Sequence, residues 1–236
     1  MIDVIPNIDQ NQYPFQKIQE IRDLYNDSKL FDTRNKFCSI ELGRAFHGFE
    51  YRYISLNVQE RRYFEITLKY GDTPPAEPIN YRFLQDEAIY LFFTCCLSLF
   101  DCYAYALYAA CSHLDQTRIP LNNLKDGNVS FHKIKDKKPL YNFLKDRTIY
   151  KIIENTKDNP KYKDIQKFRN ILNHRAHLPR TIFLSTDSHI LSRIDTIEYL
   201  DMEIRPNALC EYKDWIDQST EDLLGEFYLF LKDHFN

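Results

Sequence analysis

Glycine is scarce in this chain: five residues in 236, at positions 43, 48, 71, 127 and 225. Scattered so widely, they build no phosphate-cradling loop. No Gly-x-Ser-x-Gly elbow occurs, which removes the usual sequence sign of a serine hydrolase. His-Glu-x-x-His is missing too. The six cysteines, at 38, 95, 96, 102, 111 and 210, form no Cys-x-x-Cys pair and no disulfide-like ladder, so they read as reduced core residues. A metal hydrolase built on His174, His177 and a carboxylate would rest on His-x-x-His alone, a weak pattern, and no metal site is expected. The opening MIDVIPNIDQNQ has neither a basic stretch nor an apolar run, so no secretory signal is expected. Reduced cysteines without a signal suggest the cytoplasm.

What is abundant is large and aromatic: 17 Tyr and 17 Phe. Many bulky side chains with few glycines suit packed helices better than a turn-rich β fold, so the chain reads as mainly α. The net charge is only −3, but it is unevenly placed. Residues 125–180 hold 15 Lys and Arg against 6 Asp and Glu, whereas residues 181–236 hold 4 against 12. Such asymmetry lets one region attract polyanions while the whole stays near neutral.

Periodicity divides the chain. Phe15, Ile18, Ile21, Leu24 and Tyr25 predict a helix over about 14–30, and a second short helix is expected over about 34–46. Phe64, Ile66, Leu68 and Tyr70 alternate with polar residues, which predicts a strand, paired as a hairpin that turns near Asn57 to Arg61. After Gly71 and Pro74-Pro75 comes a long helix, about 80–114, apolar almost all round from Ala88 to Cys111. Its length would span a bilayer. Asp101 near its middle and flanks without Lys or Arg argue against a membrane span and for the centre of a bundle. Further helices are predicted over about 139–155, from Asn159-Pro160 to about Ala176, and over about 207–234, with a hairpin-like insertion at 181–204. Residues 1–79 then form an N-terminal helical and hairpin extension packed on a helical domain of residues 80–236.

One stretch carries recognisable chemistry: Phe168-Arg169-Asn170-Ile171-Leu172-Asn173-His174-Arg175. Arginine is a permanently charged fork suited to phosphate, and histidine exchanges protons near neutrality. At about 100° per residue, Arg169, Asn173, Asn170 and His174 fall in one polar sector beside the apolar stripe of Tyr162, Ile165, Phe168, Ile171 and Leu172. Arg169–Asn173 and Asn170–His174 are i,i+4 neighbours. On the long apolar helix, Thr94, Ser98, Asp101, Tyr105, Tyr108 and Ser112 repeat at helical steps. A carboxylate buried on such a seam needs a partner, and Arg169 and His174 are the natural candidates.

A helical chain with Arg-Asn-x-x-x-His on a late helix, an acidic residue midway along an earlier apolar helix and Arg175 directly after the histidine resembles the HEPN superfamily. The resemblance covers roughly residues 80–177. It implies an antiparallel helical bundle that dimerises with its Arg/His helices near the two-fold axis. It also implies, as in many members, a metal-independent endoribonuclease of toxin, abortive-infection or antiviral type that needs no cofactor. On that resemblance Arg169 and His174 are the catalytic pair, supported by Asn170 and Asp101. Asn173, Arg175, Lys163 and Lys167 are the candidates to hold RNA phosphate. An RNA 2′-hydroxyl would attack the adjacent phosphate, leaving 2′,3′-cyclic phosphate and 5′-hydroxyl ends. The expected partners are RNA, a second copy of the chain and a restraining antitoxin or sensor protein. Some HEPN proteins carry a modifiable tyrosine two places after the histidine; here that place is Ala176. The alternative reading is a non-catalytic dimeric module that binds a nucleotide, RNA or a partner protein through the Arg169/His174 face.

Overall fold

The computed structural model describes residues 14–27, 36–70, 78–121, 129–174, 180–183, 194–199, 202–204 and 208–235. It is mainly helical. Helices α1 (Phe15–Asp27), α2 (Lys36–Tyr70) and α3 (Pro78–Leu114) are followed by a 3-10 turn at Ile134–Asp136. Then come α4 (Lys138–Leu144), α5 (Thr148–Asp158) and α6 (Pro160–His174), and α7 (Ala208–Phe235) closes the chain. Between α6 and α7 the segment read as hairpin-like holds β1 (Arg180–Phe183), β2 (Ile194–Tyr199) and β3 (Met202–Ile204), antiparallel in the order β1-β2-β3.

Two elements differ from the sequence reading. The short helix, turn and strand expected between residues 34 and 70 are one 35-residue helix, α2. The alternation at 64, 66, 68 and 70 is real, but a helical repeat overlies it: Leu56, Tyr63 and Ile66 are buried while Phe64 and Leu68 are exposed. No glycine or proline interrupts the chain between Gly48 and Gly71, and Arg61 pairs with Glu65 one helical turn on, at 2.7 Å. Local breakers, more than alternation, decide such a segment. The helix expected over 139–155 is likewise two, α4 and α5. They are separated at Arg147, whose backbone is extended (φ −102°, ψ 154°). Its guanidinium lies over the rings of Phe143 (4.6 Å) and Phe230 (5.5 Å), and its Nε donates to the Phe143 carbonyl at 2.9 Å.

The chain forms two compact units, and each takes residues from both sides of position 80. The first contains residues 54–96 and 160–216. Its core holds Tyr63, Ile89, Phe92, Phe93, Tyr162, Ile165 and Phe168. Arg62 to Glu87 at 2.8 Å and Gln85 to Thr67 at 3.2 Å join α2 and α3 there. The second contains residues 7–53, 97–159 and 217–236. Phe46 and Tyr103 each meet Phe227, with ring centroids 5.7 Å apart, and the Tyr103 hydroxyl donates to the Leu223 carbonyl at 3.0 Å. Glu41 is buried in this unit without being left unpaired: the Tyr105 hydroxyl and Arg44 Nη1 both donate to it at 2.6 Å. Helix α3 approaches closely at Gly48, where a Cβ would lie 3.0 Å from Cys102 Sγ and the thiol would have to shift.

Among the described residues, Phe83–Leu114 is long and apolar enough to cross a membrane; half of its most apolar stretch is buried within the protein.

Candidate active site

Helix α6 begins where its sequence directs. Asn159 is extended (ψ 134°) and Pro160 is the first helical residue, where its missing N–H costs nothing. Tyr162, Ile165, Phe168 and Ile171 are buried, at steps of three. Phe168 is the anchor. It stacks on Phe93 of α3 at 4.7 Å with planes 15° apart, and it meets Tyr212 of α7 edge-on at 6.3 Å. Phe93 in turn meets Tyr212 at 5.3 Å. Three rings from three helices thus fix the rotation of α6 about its axis. Burial, together with the neighbouring Asp164 carboxylate, raises the Tyr212 hydroxyl well above its ordinary pKa, so it stays protonated.

That rotation sorts the polar residues. Arg169 is half-buried at the margin of the apolar side, whereas Asn170, Lys163 and Lys167 are exposed. Arg169 Nη1 donates to Asn170 Oδ1 at 3.3 Å, so two of the expected site residues are in contact. The bond is long, and most of the guanidinium's five donors make no bond among the described residues. Residue 174 is the last of α6, one turn beyond Asn170. The side chains of Asn173 and His174, and all of Arg175, Ala176 and His177, lie outside the described residues.

Asp101 departs from expectation. It is exposed, not buried on a polar seam, and its Oδ1 accepts the backbone N–H of Phe131 at 2.8 Å. The physical reason is the one that prompted the expectation of a partner: an ionised carboxylate is costly to bury. The helix meets that cost by turning residue 101 to solvent and tying down the 129–131 loop. Three further members of the supposed seam make bonds within their own unit. Tyr105 donates to Glu41, Tyr108 to the Pro120 carbonyl at 2.7 Å, and Ser112 receives the Cys38 thiol at 3.5 Å.

No family model matches this chain, and no curated protein or solved structure does either. The case for chemistry therefore rests on α6 itself. Sequence reasoning missed the Phe93–Phe168–Tyr212 cluster that holds this helix, because its members are 119 residues apart at the extremes. It also missed Asp164, whose place beside Tyr212 depends on how α6 and α7 meet. Among the described residues, no three His, Cys, Asp or Glu side chains lie close enough together to hold a metal ion.

Proposed function

We propose that this chain is a metal-independent endoribonuclease of the toxin, abortive-infection or antiviral type, working in the cytoplasm as a homodimer with a composite site. The observation that carries the reading is the Arg169–Asn170 pair on an α6 whose rotation is fixed by Phe168, followed one turn later by His174. The 2′-hydroxyl of an RNA nucleotide attacks the neighbouring phosphorus, His174 accepts the hydroxyl proton, and the bond from phosphorus to the 5′-oxygen breaks. A protonated second histidine, supplied by the partner copy, returns a proton to the leaving 5′-oxygen. Arg169 stabilises the charge that builds on the non-bridging oxygens, and Asn170 orients the guanidinium. Lys163 and Lys167, with Asn173 and Arg175, supply contacts to flanking phosphates. DNA lacks the attacking hydroxyl and is not cut. Asp101 has no part in this scheme. A restraining antitoxin or sensor protein completes the reading.

The test is incubation of purified protein with tRNA and mRNA in EDTA, beside Arg169→Ala and His174→Ala. Cleavage by the wild type alone, with cyclic-phosphate ends, is the expected result. A non-catalytic binding module is the second reading, and what favours it is that Asp101, the expected support of the Arg/His pair, is exposed and accepts the Phe131 N–H with its Oδ1. In that case no sample cleaves, and His174→Ala binds RNA as the wild type does.

A further inference from the structure

The second unit has an open cleft of about 320 Å³, lined by Arg118, Lys138, Pro139, Asn142 and Phe143. Its polar groups keep donors that make no bond among the described residues. Arg118 Nε is held by Asp115, which orients the guanidinium while its two Nη groups make no bond among the described residues. Lys138 and Asn142 are exposed and likewise have no side-chain partner there. Elsewhere on the molecule cations are spent on carboxylates: Arg22 on Glu50, Arg61 on Glu65, Arg62 on Glu87, and Lys135 and Lys157 on Glu154. Arg118 is ion-paired with Asp115 in the same way, but its two Nη groups, with the Lys138 ammonium, still line one concavity, and two such donors on a guanidinium match a phosphate.

The cleft's apolar lining is Phe143 and Pro139. Phe143 is braced by Arg147, whose guanidinium lies 4.6 Å over its ring and whose Nη1 reaches His234 Nε2 at 2.6 Å. Pro139 adds a second flat surface with no donor. An aromatic and a proline beside two cations suit a flat heterocycle joined to a phosphate, and the Asn142 amide, donor and acceptor at once, suits a base edge. The volume is at the lower end for small-molecule sites, about 300–1,000 Å³. It is of the order that one nucleotide needs.

We infer that the cleft between Arg118 and Phe143 binds a mononucleotide, its phosphate on Arg118 and Lys138 and its base against Phe143 and Pro139. The inference is independent of the ribonuclease reading, since all of its residues lie in the second unit. The experiment is calorimetric titration of the full chain with AMP, adenosine and inorganic phosphate, for wild type, Arg118→Gln, Lys138→Gln and Asn142→Ala. These three side chains are exposed, so the variants fold, and a thermal melt verifies it. AMP binds the wild type saturably and more tightly than adenosine or phosphate. Arg118→Gln and Lys138→Gln each weaken it about tenfold, the loss of one charge-assisted hydrogen bond. Asn142→Ala weakens AMP and leaves phosphate unchanged. Arg169→Ala, tested alongside, binds AMP as the wild type does, so failure of the nuclease leaves this result standing. No AMP binding at millimolar concentration, or binding indifferent to Arg118 and Lys138, overturns the assignment. Phosphate binding as tight as AMP overturns the nucleoside part of it.

Discussion

Helices α3 and α6 carry the two halves of the site that the sequence suggests, and they place charge beside apolar surface in different ways. Between Leu99 and His113, α3 has one exposed residue, Asp101, and two half-buried ones, Cys102 and Tyr105; the rest are buried. Helix α6 buries one side through Tyr162, Ile165, Phe168 and Ile171 and exposes Lys163, Lys167 and Asn170 on the other. In α6 the polar face can be read from the repeat. In α3 the repeat is drowned in apolar residues, and the single carboxylate marks where solvent reaches the helix. A lone acid in an apolar helix is thus as good a sign of the wet side as of a buried pair.

The largest test of this contrast is Phe168→Ala. It removes the ring stacked between α3 and α7 and is expected to cost about 3–5 kcal/mol of stability, read as a fall in denaturant midpoint. A loss below about 1 kcal/mol would mean that α6 is not anchored by this ring. Tyr103→Phe, inside the buried part of α3, deletes the bond to the Leu223 carbonyl and is expected to cost about 1–2 kcal/mol. Asp101→Ala sharpens the comparison most directly. A solvent-facing carboxylate that caps one loop N–H is worth about 1 kcal/mol or less, whereas a buried, paired one would cost about 3–5 kcal/mol to break. Chemical denaturation of the variant separates the two.

The smallest effect concerns Glu154 in α5. Burial alone would raise its carboxyl, but hydrogen bonds from Lys135 and Lys157 outweigh burial and hold its pKa below the ordinary glutamate value. A carboxylate whose folded pKa is depressed stabilises the protein above its unfolded pKa, and that contribution fades as pH falls through the folded value. Glu154→Gln is therefore expected to melt slightly below the wild type at neutral pH and to converge with it as pH drops below the glutamate range. A gap that stays constant from pH 7 to pH 3 would show that the ion pairs contribute nothing through this group.

Much of the helical content was legible in the chain. Asn159-Pro160 set the start of α6, and the three-residue steps of α1 and α6 named their buried sides. The 50–70 segment was not legible, because alternating and helical repeats coexist there and only the neighbours choose between them. Nor was the break at Arg147, where the guanidinium covers two rings, Phe143 and Phe230, one of them 83 positions away in the chain. The candidate site was legible as residue types, Arg169 beside Asn170 on one helix, but Asp101 was placed on the wrong side of α3.

By itself the sequence determined a helical protein, its principal breaks and an arginine–asparagine pair at the edge of an amphipathic helix, since period, proline and glycine act over a few residues at most. Only the tertiary structure decided the rotation of α6, the solvent-facing place of Asp101 and the gathering of Arg118, Lys138, Asn142 and Phe143 around one cleft. Each depends on which distant side chains fill the space beside a helix, and packing, not local propensity, settles that.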